Sequence, residues 1–251
     1  MNQEMDPQSL EEPTEPPTDA PAPSYEGPVF GRTLVEALED VAKSLHETPG
    51  ISDVVMMFEP PVPEFNITSV ENGLGRSLPE DIKAFYRTTD GFKISWSGQT
   101  SQGQPTGGLV HIHDFHTLFG YWFDTLWVED DAHTEAHQEF LWSLRGLSPG
   151  ARPHTDQLTT LRLLGDFGPD YALHLRLQPD QFTPIHLDFS SYVYYGLETR
   201  GIHGWRHILS DAPTPEALHA PFLDTLRHLF PEVDPTPYEA LCAPPRFDEE
   251  E

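Results

Sequence analysis

The chain has 251 residues, with 41 Asp and Glu against 14 Lys and Arg and a formal net charge of −27. That balance argues against direct nucleic-acid binding, which needs clustered Lys and Arg. The single cysteine, Cys242, allows no intramolecular disulfide framework and no cysteine-based zinc site.

The length suits one large domain or two small ones, either with a sizeable core. No window is apolar enough to span a bilayer, and no basic-then-apolar leader opens the sequence. The expectation is a cytoplasmic protein with no membrane contact.

Residues 1–30 are rich in Pro and Glu, and the first 31 residues hold seven acids and no Lys or Arg. Such a segment buries too little apolar surface to offset its ordering entropy, which predicts a disordered acidic tail. A single domain is expected over 31–234, and a second acidic tail over 235–251. Without the seven acids at the front and the four of residues 248–251, 30 acids face 14 bases, so the body still carries −16. A basic protein partner would be attracted and steered by that charge.

Leu34, Leu38, Val41 and Leu45 form the stripe of a first helix, with Thr33 as its cap. Val54 to Phe58 is a short apolar run. Residues 67–92 read as a short helix, a tight turn, a second helix and a strand. Pro79 suits a first helical turn, and Glu80 and Asp81 sit where the helix dipole favours carboxylates. Ile82, Phe85 and Tyr86 share one helical face, and Asp90-Gly91 stops the helix. Phe92, Ile94 and Trp96 then alternate with Lys93 and Ser95, the period of a half-buried strand.

A Gly/Gln/Ser loop is expected over 97–108 and strands over 109–113 and 121–128. A helix over 132–145 should stop at Gly146. Strands follow over 159–164, 171–177 and 183–187, and closing helices over 190–205 and 215–230, the first capped by Ser190. Helices at both ends of a run of short strands predict an α+β fold with an antiparallel-dominated central sheet.

Two stretches carry a family resemblance. Leu78-Pro79-Glu80-Asp81, with Phe85-Tyr86 and Thr89-Asp90-Gly91-Phe92, resembles the N-terminal signature of the SUKH superfamily, the Smi-one/Knr-four group of cell-wall-assembly regulators and bacterial immunity proteins. Asp188-Phe189-Ser190-Ser191-Tyr192 leading to Arg200-Gly201-Ile202-His203-Gly204-Trp205 is similar to that family's closing element. The front motif is also similar to the non-catalytic subunit of the tubulin polyglutamylase complex. The long acidic tail and residues 114–153, which look like an insertion, depart from a minimal SUKH member. The resemblance implies a non-catalytic protein-binding module without cofactors. It would act as an immunity protein that occludes a basic toxin, or as a regulatory scaffold.

Candidate chemistry is sparse. His111, His113 and His116 surround Asp114, and a two-residue spacing on a strand can chelate a metal. The alternative function is therefore a metal-dependent enzyme using that cluster. His133 and His137 are spaced for one helix face but lack the glutamate a zincin needs directly after its first histidine. Gly165-Asp166-Phe167-Gly168 has no other kinase element around it, and Ser190-Ser191 has no nucleophile elbow. The aromatic run Tyr121, Trp122 and Phe123 cannot all face inward from one strand. With Trp127, Glu129, Asp130 and Asp131 it is the expected partner-binding surface.

Overall fold

In the computed structural model the described residues are 32–120, 134–149, 158–164, 170–178, 181–212 and 215–242. The predicted N-terminal tail, the strand over 121–128 and the Gly165–Gly168 turn lie outside them.

Helix α1 (Arg32–Glu47) forms because its apolar residues recur at helical spacing, and Leu34, Leu38, Val41 and Leu45 are all buried. It is followed by β1 (Ser52–Phe58), α2 (Glu64–Leu74) and α3 (Glu80–Tyr86). Pro79 is the N-cap of α3, with Glu80 and Asp81 in the first turn. Ile82, Phe85 and Tyr86 are fully buried, as their spacing predicts. Gly91 has φ +83°, and a Cβ there would stand 2.6 Å from the Ile112 carbonyl oxygen. Conformation and crowding both require glycine at this helix-to-strand turn.

The next strands are β2 (Phe92–Gln99) and β3 (Pro105–Ile112), antiparallel to each other, with β1 pairing on the other side of β2. The expected loop over 97–108 is thus mostly strand. Only residues 100–104 turn the hairpin, and Gly107 and Gly108 belong to β3.

After α4 (Phe115–Phe119) comes α5 (Glu135–Ser143), which leads into β4 (Leu144–Ser148). Gly146 therefore lies in a strand and does not stop the helix; Leu144 and Leu147 are buried there. Phe115, Leu118, Phe119 and Leu147 all join the core, so these parts of 114–153 are integral rather than inserted. Strands β5 (Thr159–Leu163), β6 (Tyr171–Gln178) and β7 (Gln181–Ile185) complete a second antiparallel sheet in the order β4-β5-β6-β7. The His113 N–H donates to the Leu147 carbonyl at 3.0 Å and joins the two sheets. Helices plus antiparallel sheets make the fold α+β, as predicted.

The expected helix over 190–205 is two helices, α6 (Phe189–Glu198) and α7 (Trp205–Ile208), with a turn at 199–204. Asp188, not Ser190, caps α6: its carboxylate accepts from the Ser191 N–H at 2.6 Å. Helix α8 (Glu216–Leu229) follows, and then α9 (Thr236–Cys242). The C-terminal tail expected from 235 is therefore helical at its start. Tyr238 is 1% exposed and its hydroxyl donates to the Glu198 carboxylate, which ties α9 to α6.

A polar relay also links the halves of the chain. The Tyr171 hydroxyl donates to the Asp81 carboxylate and accepts from the Phe189 N–H. One side chain of β6 thereby holds the starts of α3 and α6 together. Burial, ahead of any other influence, raises the Asp81 carboxyl above its ordinary value.

Candidate protein-binding face

Residues opposite one another in a sheet share a face, and alternate residues point the other way. Phe92, Ile94 and Trp96 of β2 are buried against the helices. Their alternates Lys93, Ser95 and Ser97 consequently define the outer face of β1-β2-β3. The register places Met57 and His111 on either side of Lys93, and Val55 and Leu109 on either side of Ser95. Val55 and Met57 are 44% and 53% exposed, so two apolar side chains of this face stand in solvent, and Phe58 at the end of the same strand is 47% exposed.

Beside them lies an open groove of about 1000 Å³. Its floor is the outer face of β2 and β3, and its wall is the 201–206 segment with the start of α8. Backbone pairing builds the wall: the Leu109 N–H donates to the Gly201 carbonyl at 2.8 Å, and the His203 N–H to the Gly107 carbonyl at 3.1 Å. The indole N–H of Trp96 donates to the Arg200 carbonyl at 2.7 Å, and that of Trp205 to the Leu109 carbonyl at 3.3 Å. A Cβ at Gly108 would stand 2.2 Å from Trp96 Nε1 and 2.3 Å from the Arg200 carbonyl oxygen. Close approach of backbone to backbone explains the glycine. The closing stretch of the sequence thus locks onto β3 and, through Trp96, onto β2.

Arg206 is 2% exposed and lines the groove. Its Nε donates to the Tyr192 hydroxyl at 3.0 Å and its Nη2 to Ser148 Oγ at 2.6 Å, with the guanidinium over the Trp205 ring. The Tyr192 hydroxyl in turn donates to Thr159 Oγ1 at 2.9 Å. These partners are all neutral, and no carboxylate pairs with Arg206 among the described residues. Burial, followed by the charges of His113, Lys93 and Arg206, pushes the His111 imidazole down to about 4.

The predicted partner-binding residues Tyr121, Trp122, Phe123, Trp127, Glu129, Asp130 and Asp131 lie outside the described residues. The histidine cluster does not assemble as a metal site. The His111 and His113 rings do meet, at 4.8 Å between centroids. Asp114, however, spends its carboxylate capping α4, accepting from the Thr117 N–H at 2.8 Å and the Thr117 hydroxyl at 2.6 Å. Among the described residues no three His, Cys, Asp or Glu side chains are grouped to hold a metal ion. His133 lies outside the described residues, and His137 packs against Phe140 on α5. None of the described helices is long and apolar enough to cross a membrane.

Sequence reasoning missed Val55, Met57 and Arg206. The run Val54 to Phe58 is apolar on both faces, so its pattern gives no inward or outward sense. Arg206 follows the Gly204-Trp205 motif, but only the fold reveals its burial.

One sequence likeness accompanies this geometry. The chain is similar to human tubulin polyglutamylase complex subunit 2. The similarity runs at 35% identity over 57 residues, which are 23% of this chain and 19% of that protein. The matched stretch thus spans about a fifth of the relative's length. No family model matches the chain, so the SUKH resemblance has none behind it, and no solved structure matches either.

Proposed function

We propose that this chain is a non-catalytic protein-binding module that works as a subunit within a larger assembly, on a SUKH-like plan. The observation that carries the reading is the outer face of β1-β2-β3, where exposed Val55 and Met57 flank a groove of about 1000 Å³. Exposed apolar side chains grouped beside a groove and rimmed by polar residues mark interaction surfaces. Both are about half exposed, so burying the remainder contributes ~0.7–1.5 kcal/mol each.

The likeness to a named complex subunit supports the scaffold form of the reading over the immunity form. The excess of acid over base in the body favours a partner that is basic where it meets the surface outside the groove, because complementary charge speeds encounter. A non-catalytic role accords with what the polar groups already do: Asp114 caps a helix, and Tyr171 and Asp81 bond one another.

The test is reconstitution. A partner captured from native lysate is purified and titrated by calorimetry against wild-type protein and the double variant Val55→Asp, Met57→Asp. The variant should keep its Tm and bind at least ~10-fold more weakly, about 1.4 kcal/mol. Equal affinity for the two proteins would remove this face from the binding surface.

A further inference from the structure

The groove differs in sign from the molecule that holds it. The chain carries −27, yet among the described residues the fixed charges lining the groove are Lys93 and Arg206 against Asp53, with His111 and His203 as the titratable remainder. Asp53 follows Ser52, which pairs with Ser97, four residues along β2 from Lys93. That is ~13 Å at the rise of a strand. With a Debye length of ~8 Å at physiological salt, Asp53 is largely screened at the Lys93 end. The carboxylate that acts on His111 there is Asp114, which is committed to capping α4.

Arg206 adds a second observation. A buried cation without a counter-ion is costly, and hydroxyl partners answer its hydrogen bonds without answering its charge. Lys93 and His111, which line the same groove, lie directly opposite each other in the sheet. The backbone supplies a third. Leu109 and His113 donate their N–H groups outward from β3, to Gly201 and Leu147. His111 lies between them on the same edge by the two-residue period of a strand. Its peptide group has no backbone partner there among the described residues. Two cationic side chains and a peptide donor therefore line the part of the groove around His111.

We propose that this part of the groove is a carboxylate-binding subsite, formed by Lys93, Arg206 and the His111 peptide, that receives an acidic stretch of a partner polypeptide. It rests on the protein-binding reading above. The chemistry fits a carboxylate: a guanidinium and an ammonium both give charge-assisted hydrogen bonds to it, and a backbone N–H adds a further donor. Non-specific attraction cannot imitate this, because the body as a whole repels acidic peptides.

The experiment uses the full chain and a fluorescein-labelled octaglutamate peptide, read by fluorescence anisotropy, with an octaglutamine peptide alongside. The glutamate peptide should bind at least ~10-fold more tightly than the glutamine peptide, and high salt should weaken it. Lys93→Glu, on the open face, should reduce binding at least ~10-fold with the Tm retained. Arg206→Met tests the buried cation. If that variant fails to fold, Lys93→Glu and the backbone amide shift of His111 on peptide addition decide the matter.

Equal binding of the two peptides, no binding either with or without residues 1–31, or unchanged affinity in Lys93→Glu would each overturn the subsite. Preferential binding of a single-stranded oligonucleotide would overturn the peptide assignment. Binding that emerges only when residues 1–31 are removed would overturn the partner assignment in favour of the chain's own acidic segment. The Val55→Asp, Met57→Asp variant separates this proposal from the broader one. If that variant loses the reconstituted partner while octaglutamate never binds, the subsite alone fails. If octaglutamate binds and the variant keeps the partner, the apolar face alone fails.

Discussion

Gly108→Ala probes the junction on which the groove wall depends. The added methyl would fall 2.2 Å from Trp96 Nε1 and 2.3 Å from the Arg200 carbonyl oxygen, the two atoms joined by the 2.7 Å indole hydrogen bond. Neither atom can yield easily. Trp96 is 4% exposed and packs edge-on against Phe230, and Arg200 already holds φ +54°. Relief requires the indole and the carbonyl to separate. That leaves a buried donor unpaired at ~1–3 kcal/mol. Overpacking adds ~1–3 kcal/mol. The total is ~2–6 kcal/mol, or a Tm lowered by ~5–20 °C for a domain of this size. The assay is thermal unfolding followed by circular dichroism, with Gly73→Ala as the control. A Cβ at Gly73 meets nothing within 4 Å near the end of α2, so that variant should gain ~0.5–1 kcal/mol. A Gly108→Ala protein within 1 °C of wild type would refute the reasoning, because the crowding would then carry no energetic cost.

Tyr171→Phe strips the relay between α3, β6 and α6, leaving the Asp81 carboxylate and the Phe189 N–H short of a partner. The expected loss is ~2–4 kcal/mol in urea unfolding, and a loss below 0.5 kcal/mol would deny the relay its structural role. Acid sensitivity should involve His174, whose imidazole is pushed down to about 4, first by burial and then by the charges of Arg162 and His186. Between pH 6.5 and about 4 the unfolded chain binds the extra proton, so this group's stability contribution is present above pH 6.5 and lost as the pH falls through that window. A His174→Gln variant should show a flatter Tm–pH slope there, and an unchanged slope would contradict the assignment. The carboxyls of Asp81 and Asp90, raised chiefly by burial, act in the opposite direction.

The sequence was most legible where one residue type had a single physical use. Pro79, Glu80 and Asp81 open a helix, Gly91 closes the turn after it, and Phe92, Ile94 and Trp96 face the core as their period requires. It misled where local propensity and tertiary need diverged. Gly107 and Gly108 have poor strand propensity, yet β3 needs them: a Cβ at Gly107 would meet the Trp96 backbone, and one at Gly108 the Trp96 indole and the Arg200 carbonyl of the 199–204 turn. Gly146 resembled a helix stop, but Leu144 and Leu147 drew the segment into a sheet. Pro235 looked like the start of a tail because one buried tyrosine, Tyr238, anchors the helix that follows it. The binding face was illegible for a related reason. Val55 and Met57 are outward only by virtue of their register with β2, and register is a property of the pair of strands.

The cover on the β3 edge has a consequence for synthesis. Its hydrogen-bonding groups are answered by residues far downstream: His113 by Leu147, Leu109 by Gly201 and Gly107 by His203. A ribosome adding ~5–20 residues per second needs ~5–20 s to travel from Gly107 to His203. Throughout that interval the nascent chain carries an unprotected strand edge at β3, with apolar Val55 and Met57 exposed on β1 at the sheet's other edge, and such an edge is a template for pairing with another chain. The motif that walls the mature groove is thus also the last stroke that renders the newborn chain safe from its neighbours.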